Sequence, residues 1–301
     1  MPNDGGTGGN DAGFGVKTGD MIGDSKFGRS ILITGCSSGI GYDAAHGLAK
    51  AGWRVFATCR KAADCARLQA EGLESLPLDL ADEASIRNAL AEVLHRTGGT
   101  LDALYNNGAF AIPAATEDLP RGALRDIFET NLFGTHDLTR AVIPVMRAQG
   151  HGRILNCSSV LGFVPAKWRG AYVSTKYALE GLSDVLRIEM RGTGIDVVLI
   201  EPGPVTSLIR QNAIPHFERW IDWERSARSE EYRTGLIRRL YQARGPDPFE
   251  LPASAVTAVI LKALTARHPR ARYRVTWPTH LLWAARRVFP VSLMDWLIAK
   301  G

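Results

Sequence analysis

The sequence of 301 residues contains only four cysteines, Cys36, Cys59, Cys65 and Cys157, and no CxxC pair. That argues against a disulfide framework and a cysteine-built zinc site, and the thiols read as reduced ones in a cytoplasmic protein. The seven histidines show no HExxH or other ligand spacing, so no metal site is expected. No run of about 18 uninterrupted apolar residues occurs, so no spanning helix is expected. The N-terminal stretch has no apolar h-region, which argues against a secretory signal. Charge of one sign is never concentrated. The net charge is +5, and the basic excess is mixed with acids in the last third, as on a solvated surface and unlike a nucleic-acid-binding stripe.

What is present is a chain that is 45% hydrophobic, enough for a sizeable core. Residues 1–27 are rich in Gly, Asp, Asn and Thr and read as a flexible extension. From Arg29 onward, short apolar runs alternate with amphipathic stretches. Strands are expected at 30–34, 54–58, 75–78, 101–105, 153–157, 196–200 and 272–276. Helices are expected at 40–51, 83–95, 121–147, 171–191 and 253–266. Regular β-α alternation predicts an α/β protein. The expected architecture is a Rossmann-like, doubly wound parallel sheet in three α/β/α layers, one domain over 28–277. Residues 204–250 interrupt the pattern after the sixth strand, where such sheets place ligand-facing loops. They contain Phe217, Trp220, Trp223 and Tyr232. The segment reads as a substrate lid, with a surface helical excursion as the plain alternative.

The first expected strand runs into Thr34-Gly35-Cys36-Ser37-Ser38-Gly39-Ile40-Gly41 and then a helix. Glycines permit a tight turn and let a pyrophosphate approach the backbone, while the helix N-terminus offers unpaired N–H groups. The second strand ends Thr58-Cys59-Arg60-Lys61, without the Asp or Glu that would accept ribose hydroxyls of NAD. A guanidinium suits a 2′-phosphate by charge and fork geometry. NADP(H) is therefore preferred over NAD(H), with Arg60 as main contact and Ser37 and Lys61 as helpers. The alternative is that Arg60 is merely an exposed charge at a helix start.

Tyr172 and Lys176 are spaced i, i+4, which places them on one helical face. A nearby cation stabilises a phenolate and lowers its pKa from about 10. That makes a proton donor and acceptor for carbonyl–alcohol chemistry. Ser159 lies thirteen residues upstream of Tyr172, and that spacing selects it over its neighbour Ser158.

These motifs resemble the short-chain dehydrogenase/reductases, in the branch of about 250 core residues, from Arg29 to Thr276. The matching residues also include Asp79, Asn106-Asn107-Gly108-Ala109, Asn131 and Pro202-Gly203-Pro204-Val205-Thr206. The wording of the glycine turn and of Ala178-Leu179-Glu180-Gly181-Leu182 is similar to 17β-hydroxysteroid and retinol dehydrogenases. The resemblance implies that Tyr172 is the general acid or base, Ser159 polarises the carbonyl and Lys176 binds the nicotinamide ribose. Asn131 would hold a relay water. Asp79 with Leu80 would meet adenine and Asn107 the adenosine ribose, while Pro202, Gly203 and Thr206 would seat the nicotinamide. Gly35, Ser37, Ser38, Gly39, Ile40 and Gly41 would line the pyrophosphate. The usual Asn-Asn-Ala-Gly order is here Asn-Asn-Gly-Ala, so the backbone there is expected to differ.

The resulting expectation is an NADP(H)-dependent oxidoreductase acting on a carbonyl or secondary alcohol of an apolar substrate. A steroid, retinoid, long-chain aldehyde or aromatic ketone would qualify. The alternatives are an NAD(H)-dependent alcohol dehydrogenase and a non-catalytic dinucleotide-sensing scaffold. The long helices at 121–147 and 171–191 form subunit interfaces in many relatives, which implies a homodimer or homotetramer. The tail at 278–301 reads as a helical segment over the substrate site or a neighbouring subunit. Its paired arginines among apolar residues leave peripheral membrane contact as the alternative.

Overall fold

The computed structural model describes residues 28–242, 245 and 247–300. The expected 1–27 extension lies outside them. Among the described residues, seven strands form one all-parallel sheet in the order β3-β2-β1-β4-β5-β6-β7. The strands are β1 (Ser30–Ile33), β2 (Arg54–Cys59), β3 (Glu74–Pro77), β4 (Ala103–Asn106), β5 (Gly152–Cys157), β6 (Ile195–Glu201) and β7 (Arg272–Arg274). The order reverses at β1 and β4, which opens a crevice above their C-terminal ends. Every expected strand is present, within two residues at each boundary.

Alternation along the strands divides the core into two layers. Ile31 and Ile33 of β1 face one side with Val55 and Ala57 of β2, against α1 (Gly39–Lys50), α2 (Ala62–Ala70) and a later helix at Ala253–Thr265. Leu32 and Phe56 face the other side, against α3 (Glu83–Thr97) and the helices that follow. Both faces are covered, so most strand residues are buried. Asp82 caps α3 by accepting from the Ala84 N–H at 2.8 Å, and Gly98 ends the helix at φ 68°.

The stretch expected as one helix over 121–147 is three pieces. α4 (Arg121–Phe128) runs into a π turn (Glu129–Gly134) and then α5 (Thr135–Gln149). Gly134 is required there, because a Cβ would lie 1.8 Å from the Leu80 carbonyl oxygen. α6 (Gly170–Glu189) follows β5. After β6 the chain forms short helices α7 (Ile209–Asn212), α8 (Ile214–Trp220), α9 (Ser229–Glu231) and α10 (Ile237–Tyr241). α11 (Ala253–Thr265) then packs on α1 so closely that a Cβ on Gly47 would sit 2.4 Å from Thr257. The tail is α12 (Trp277–Val288) and α13 (Val291–Lys300). Among the described residues, no helix is long and apolar enough to cross a membrane.

Candidate active site

The glycine turn bridges β1 and α1. Gly35 and Gly39 hold φ of 71° and 60°, in the left-handed region that disfavours other residues. Gly41 packs against the turn itself. A Cβ there would meet the Gly35 carbonyl oxygen at 2.3 Å and Asn107 Nδ2 at 2.5 Å. The turn is fixed from the β4 side. Asn107 Nδ2 donates to the carbonyls of Thr34 and Gly35 at 3.0 and 3.1 Å, and the Thr34 hydroxyl accepts from the backbone N–H groups of Asn107 and Gly108. Glycine at 108 lets that strand end approach: a Cβ would lie 2.9 Å from Leu80 Cδ1. The Asn-Asn-Gly-Ala order therefore has a packing reason. Ser38 is the N-cap of α1 but makes no side-chain cap bond. Open helix N–H groups, a partial positive charge and a glycine-lined approach fit a pyrophosphate.

Arg60 is exposed at the end of β2, and so is Lys61. Burial pushes the His216 imidazole of α8 down, with Asp126 opposing and Arg60 adding to the fall. Asp79 makes a local turn, with Oδ1 accepting from the Ala81 N–H at 3.0 Å. Capping of α3 falls to Asp82, so Asp79 and Leu80 stand at the crevice edge as a turn.

Across the crevice, β5 ends at Cys157. Ser158 donates its N–H to Ile200, while its hydroxyl is buried with no hydrogen-bond partner, near Glu180. Ser159 caps a short turn by accepting from the Leu161 N–H at 3.1 Å. Val160 N–H donates to the Pro202 carbonyl at 2.7 Å, joining this turn to the end of β6. Gly203 sits where a Cβ would strike the Thr276 and Thr279 hydroxyls at 2.1 and 2.4 Å. Thr206 donates to Glu250 at 2.7 Å, and Ser207 lies over Gly39.

Tyr172 and Lys176 share the inner face of α6, as their spacing predicts. Lys176 Nζ lies 5.5 Å from the Tyr172 ring centroid and donates to the Cys157 carbonyl at 2.7 Å. Against the lowering expected from Lys176, burial pushes the Tyr172 phenol well above its ordinary pKa, and the Cys157 thiol adds to this. The Ser159 hydroxyl and the Arg169 guanidinium act in the opposite direction. Burial pushes the Lys176 ammonium down, offset in part by Cys157 and by Glu180 one turn later. Behind them Arg272 bonds Glu180 at 3.1 Å and Asp184 at 2.6 Å and pairs with Glu201 at 3.1 Å.

Asn131 lies in the π turn. Its Oδ1 accepts from the Phe110 N–H at 3.0 Å, and its Nδ2 donates to the Phe110 carbonyl at 2.9 Å and to Thr175 at 3.2 Å. It ties the segment after β4 to α6, beside Tyr172. A π turn commonly marks a functional position inside a helix.

The 204–250 segment lies directly on this site. Phe217, Tyr232, Leu236 and Leu240 pack with Phe110, Ile112 and Tyr172 in a third apolar cluster. The Tyr232 hydroxyl donates to Asp118 and accepts from the Ala115 N–H, both at 2.8 Å. The Trp168 ring packs on Tyr232 in a tilted arrangement, with centroids 4.7 Å apart, and its own φ of 66° is unusual for a bulky residue. Asp118 and Arg169 escaped the reading of the sequence, although Arg169 stands only three residues before Tyr172. Among the described residues, no group of three or more His, Cys, Asp or Glu side chains could hold a metal ion.

The short chain dehydrogenase family matches residues 29–216. An oxidoreductase of Escherichia coli K12, YbbO, is 36% identical over 267 residues, covering 89% of this chain and 93% of that protein. Human retinol dehydrogenase 5 is 32% identical over 295 residues, covering 90% and 89%. A crystal structure of a short-chain dehydrogenase from Streptomyces avermitilis is similar with a TM-score of 0.71 and 28% identity, over 92% of this chain and 95% of that one.

Proposed function

The chain belongs to the short-chain dehydrogenase family, and from that membership we propose that it is an NADP(H)-dependent oxidoreductase for apolar carbonyls and secondary alcohols. The observation that carries this reading is the convergence of Ser159, Tyr172 and Lys176 across the crevice from an open glycine turn. A bound nicotinamide dinucleotide supplies or accepts the hydride. Gly35, Ser37, Ser38, Gly39, Ile40 and Gly41 would hold its pyrophosphate. Asp79, Leu80 and Asn107 would border the adenosine, and Pro202, Gly203 and Thr206 the nicotinamide.

The protein's own groups handle the oxygen of the substrate. The Ser159 hydroxyl donates to the carbonyl and polarises it. Tyr172 gives its proton to the oxygen in reduction and removes it in oxidation. A buried phenol holds its proton tightly until the oxygen gains negative charge, so donation is coupled to charge development. Lys176, held by the Cys157 carbonyl, stands beside the phenol, and the Cys157 and Glu180 side chains offset part of what burial takes from its charge. Asn131 positions a relay water at the widened π turn.

The preference for NADP(H) rests on Arg60 and Lys61 standing where an acid would favour NAD(H). NAD(H) use with an incidental Arg60 is the rival. The 204–250 segment acts as a lid: its apolar face covers Tyr172 and excludes water, which suits a medium-to-large apolar substrate. A cytoplasmic setting accords with four buried, unpaired cysteines. Leu182, Val185 and Ile188 on α6 and Phe133 in the π turn are exposed apolar residues that suit self-association as a homodimer or homotetramer. Phe289, Leu293 and Trp296 on the tail are exposed as well, and serve either a subunit contact or a membrane surface.

The test is steady-state reduction of aliphatic aldehydes and aromatic ketones with NADPH and with NADH. A kcat/KM at least tenfold higher with NADPH is expected from the loss of a charge-assisted contact. A preference for NADH overturns the cofactor assignment, and absence of turnover with both points to a dinucleotide-sensing scaffold.

A further inference from the structure

Three consecutive residues at the C-terminal end of β5 support the reacting centre, and the middle one takes no part in the proposed proton transfer. The Cys157 carbonyl accepts from Lys176 Nζ at 2.7 Å. Ser159 caps the turn over Val160–Gly162, and its hydroxyl acts on the Tyr172 phenol. Ser158 stands between them. Its N–H donates to the Ile200 carbonyl at 2.8 Å, which ties this strand end to β6. Its side chain is 2% exposed, and the hydroxyl has no hydrogen-bond partner.

A second buried polar atom is orphaned beside it. Glu180 lies on α6 one turn after Lys176, on the same buried face. It is 9% exposed. Its Oε2 accepts from Arg272 of β7 at 3.1 and 3.2 Å, while Oε1 has no hydrogen-bond partner. Gly162 shows that the two orphans are neighbours. A Cβ on Gly162 would lie 2.4 Å from Ser158 Oγ and 3.1 Å from Glu180 Oε1, so hydroxyl and carboxylate share one side of that glycine. A hydroxyl hydrogen rotates about its C–O bond, and a carboxylate oxygen is a strong acceptor for it. Burial pushes the Glu180 carboxyl up, Ser158 and then Arg272 act against this, and Asp184 adds to the rise.

An ion pair alone does not account for this placement. Arg272 also bonds Asp184 at 2.6 Å and pairs with Glu201 of β6 at 3.1 Å, so its charge is met without Glu180. A carboxylate kept only for that pair needs no second oxygen turned toward a serine beneath the Ser159 turn. A buried donor and a buried acceptor held apart are costly, and both costs vanish when they meet.

We propose that Glu180 is a positioning residue of this active site. Its Oε1 receives the Ser158 hydroxyl, and through Ser158 it fixes the strand end from which the Cys157 carbonyl holds Lys176 and Ser159 meets the substrate oxygen. Arg272 steadies the carboxylate from β7. This rests on the oxidoreductase reading of the same site. Chemistry at the carbonyl tolerates little displacement, since a shift of ~1 Å costs on the order of 100-fold in rate.

Ser158→Ala is the deciding variant. It removes one hydroxyl, leaves the Arg272 pair untouched, and under a purely structural reading breaks no bond. The kcat for carbonyl reduction is expected to fall at least about tenfold, and NADPH affinity about threefold, because the same strand end holds Lys176. Glu180→Ala should match these losses. Glu180→Gln keeps an acceptor oxygen and should recover part of them. The double variant Ser158→Ala with Glu180→Ala should fall no further than the deeper single one, as for two residues acting through one contact. Asp184→Asn removes the shortest contact of Arg272, and should lower stability while kcat stays as in wild type. Circular dichroism on each variant reports folding. If Glu180→Ala does not fold, Ser158→Ala alone decides.

Wild-type kcat and NADPH affinity in Ser158→Ala overturn the proposal. So do losses that multiply in the double variant, which make the two residues independent. A loss in Ser158→Ala with none in Glu180→Ala also overturns it, because Ser158 then acts by itself. Failure of the oxidoreductase reading looks different. Wild-type protein would then bind NADPH and turn over no aldehyde or ketone, while NADPH affinity still falls in Ser158→Ala and Glu180→Ala alike, which upholds the positioning of Lys176.

Discussion

The two sides of the crevice are built by different means. On the β1–β4 side the contact surface is backbone: Gly35, Gly39 and Gly41 expose the chain, and Asn107 and Thr34 use their side chains to hold the turn in shape. On the β5–β7 side the surface is made of side chains, Ser159, Tyr172 and Lys176, covered by Phe217 and Tyr232 from the 204–250 segment. A backbone cradle tolerates no added atom but is indifferent to what lies beyond it. A side-chain site can be altered group by group, and each group carries its own chemistry. The first side should therefore fail all at once, and the second by degrees.

The largest expected effect is on the cradle. Gly41→Ala places a methyl 2.3 Å from a backbone oxygen, so the turn has to shift. NADPH affinity should drop by about 100-fold or more, while overpacking costs only about 1–3 kcal/mol of stability. Fluorescence titration beside denaturant unfolding checks both. Normal affinity in this variant would break the contrast, because the turn would then not be the cradle.

Next comes the charge network under the side-chain site. Burial pushes the Glu201 carboxyl up to about 7, against an ordinary 4.5, with Arg274 and Arg272 opposing. The folded state thus holds a proton that the unfolded chain releases. This group's contribution favours the fold below about pH 4.5, is lost as pH rises toward 7, and is flat above. The lost stability is on the order of 3 kcal/mol. Denaturant unfolding from pH 5 to 8 should show declining stability, and Glu201→Gln should flatten that slope.

A smaller change sharpens the comparison at the cofactor. Arg60→Ala should weaken NADPH by about 10–100-fold and leave NADH nearly unchanged. Equal losses for both would assign Arg60 to the fold. Smallest is Tyr232→Phe, which removes the hydroxyl joining the Ala115 N–H to Asp118. Leaving a buried donor unpaired costs about 1–3 kcal/mol. The KM for apolar carbonyls should rise with NADPH affinity unchanged, which steady-state kinetics and titration would show.

The same contrast explains what could be read from the sequence. Backbone cradles need glycines at fixed places, so the turn at 34–41 was legible, and so were the seven strands from their short, largely apolar runs alternating with amphipathic stretches. Tyr172 and Lys176 were legible because four residues is one helical face. α2 escaped because only Cys65 and Leu68 of its nine residues are buried, too few to mark a period. The π turn around Asn131 escaped because residues 121–149 keep one amphipathic pattern through it. Asp118 meets Ser226 and Tyr232, and Arg210 meets Asp247, only after folding, across separations no local pattern encodes.

The division of labour is tested most directly by one preparation of Tyr172→Phe, in which NADPH affinity and carbonyl reduction are measured together. NADPH should bind as it does to the wild-type protein, while kcat falls by at least ~10²–10⁴, the contribution of a positioned general acid. Turnover near the wild-type rate would show that the phenol is not the proton donor. Turnover lost together with NADPH affinity would show that the two sides of the crevice are not separable.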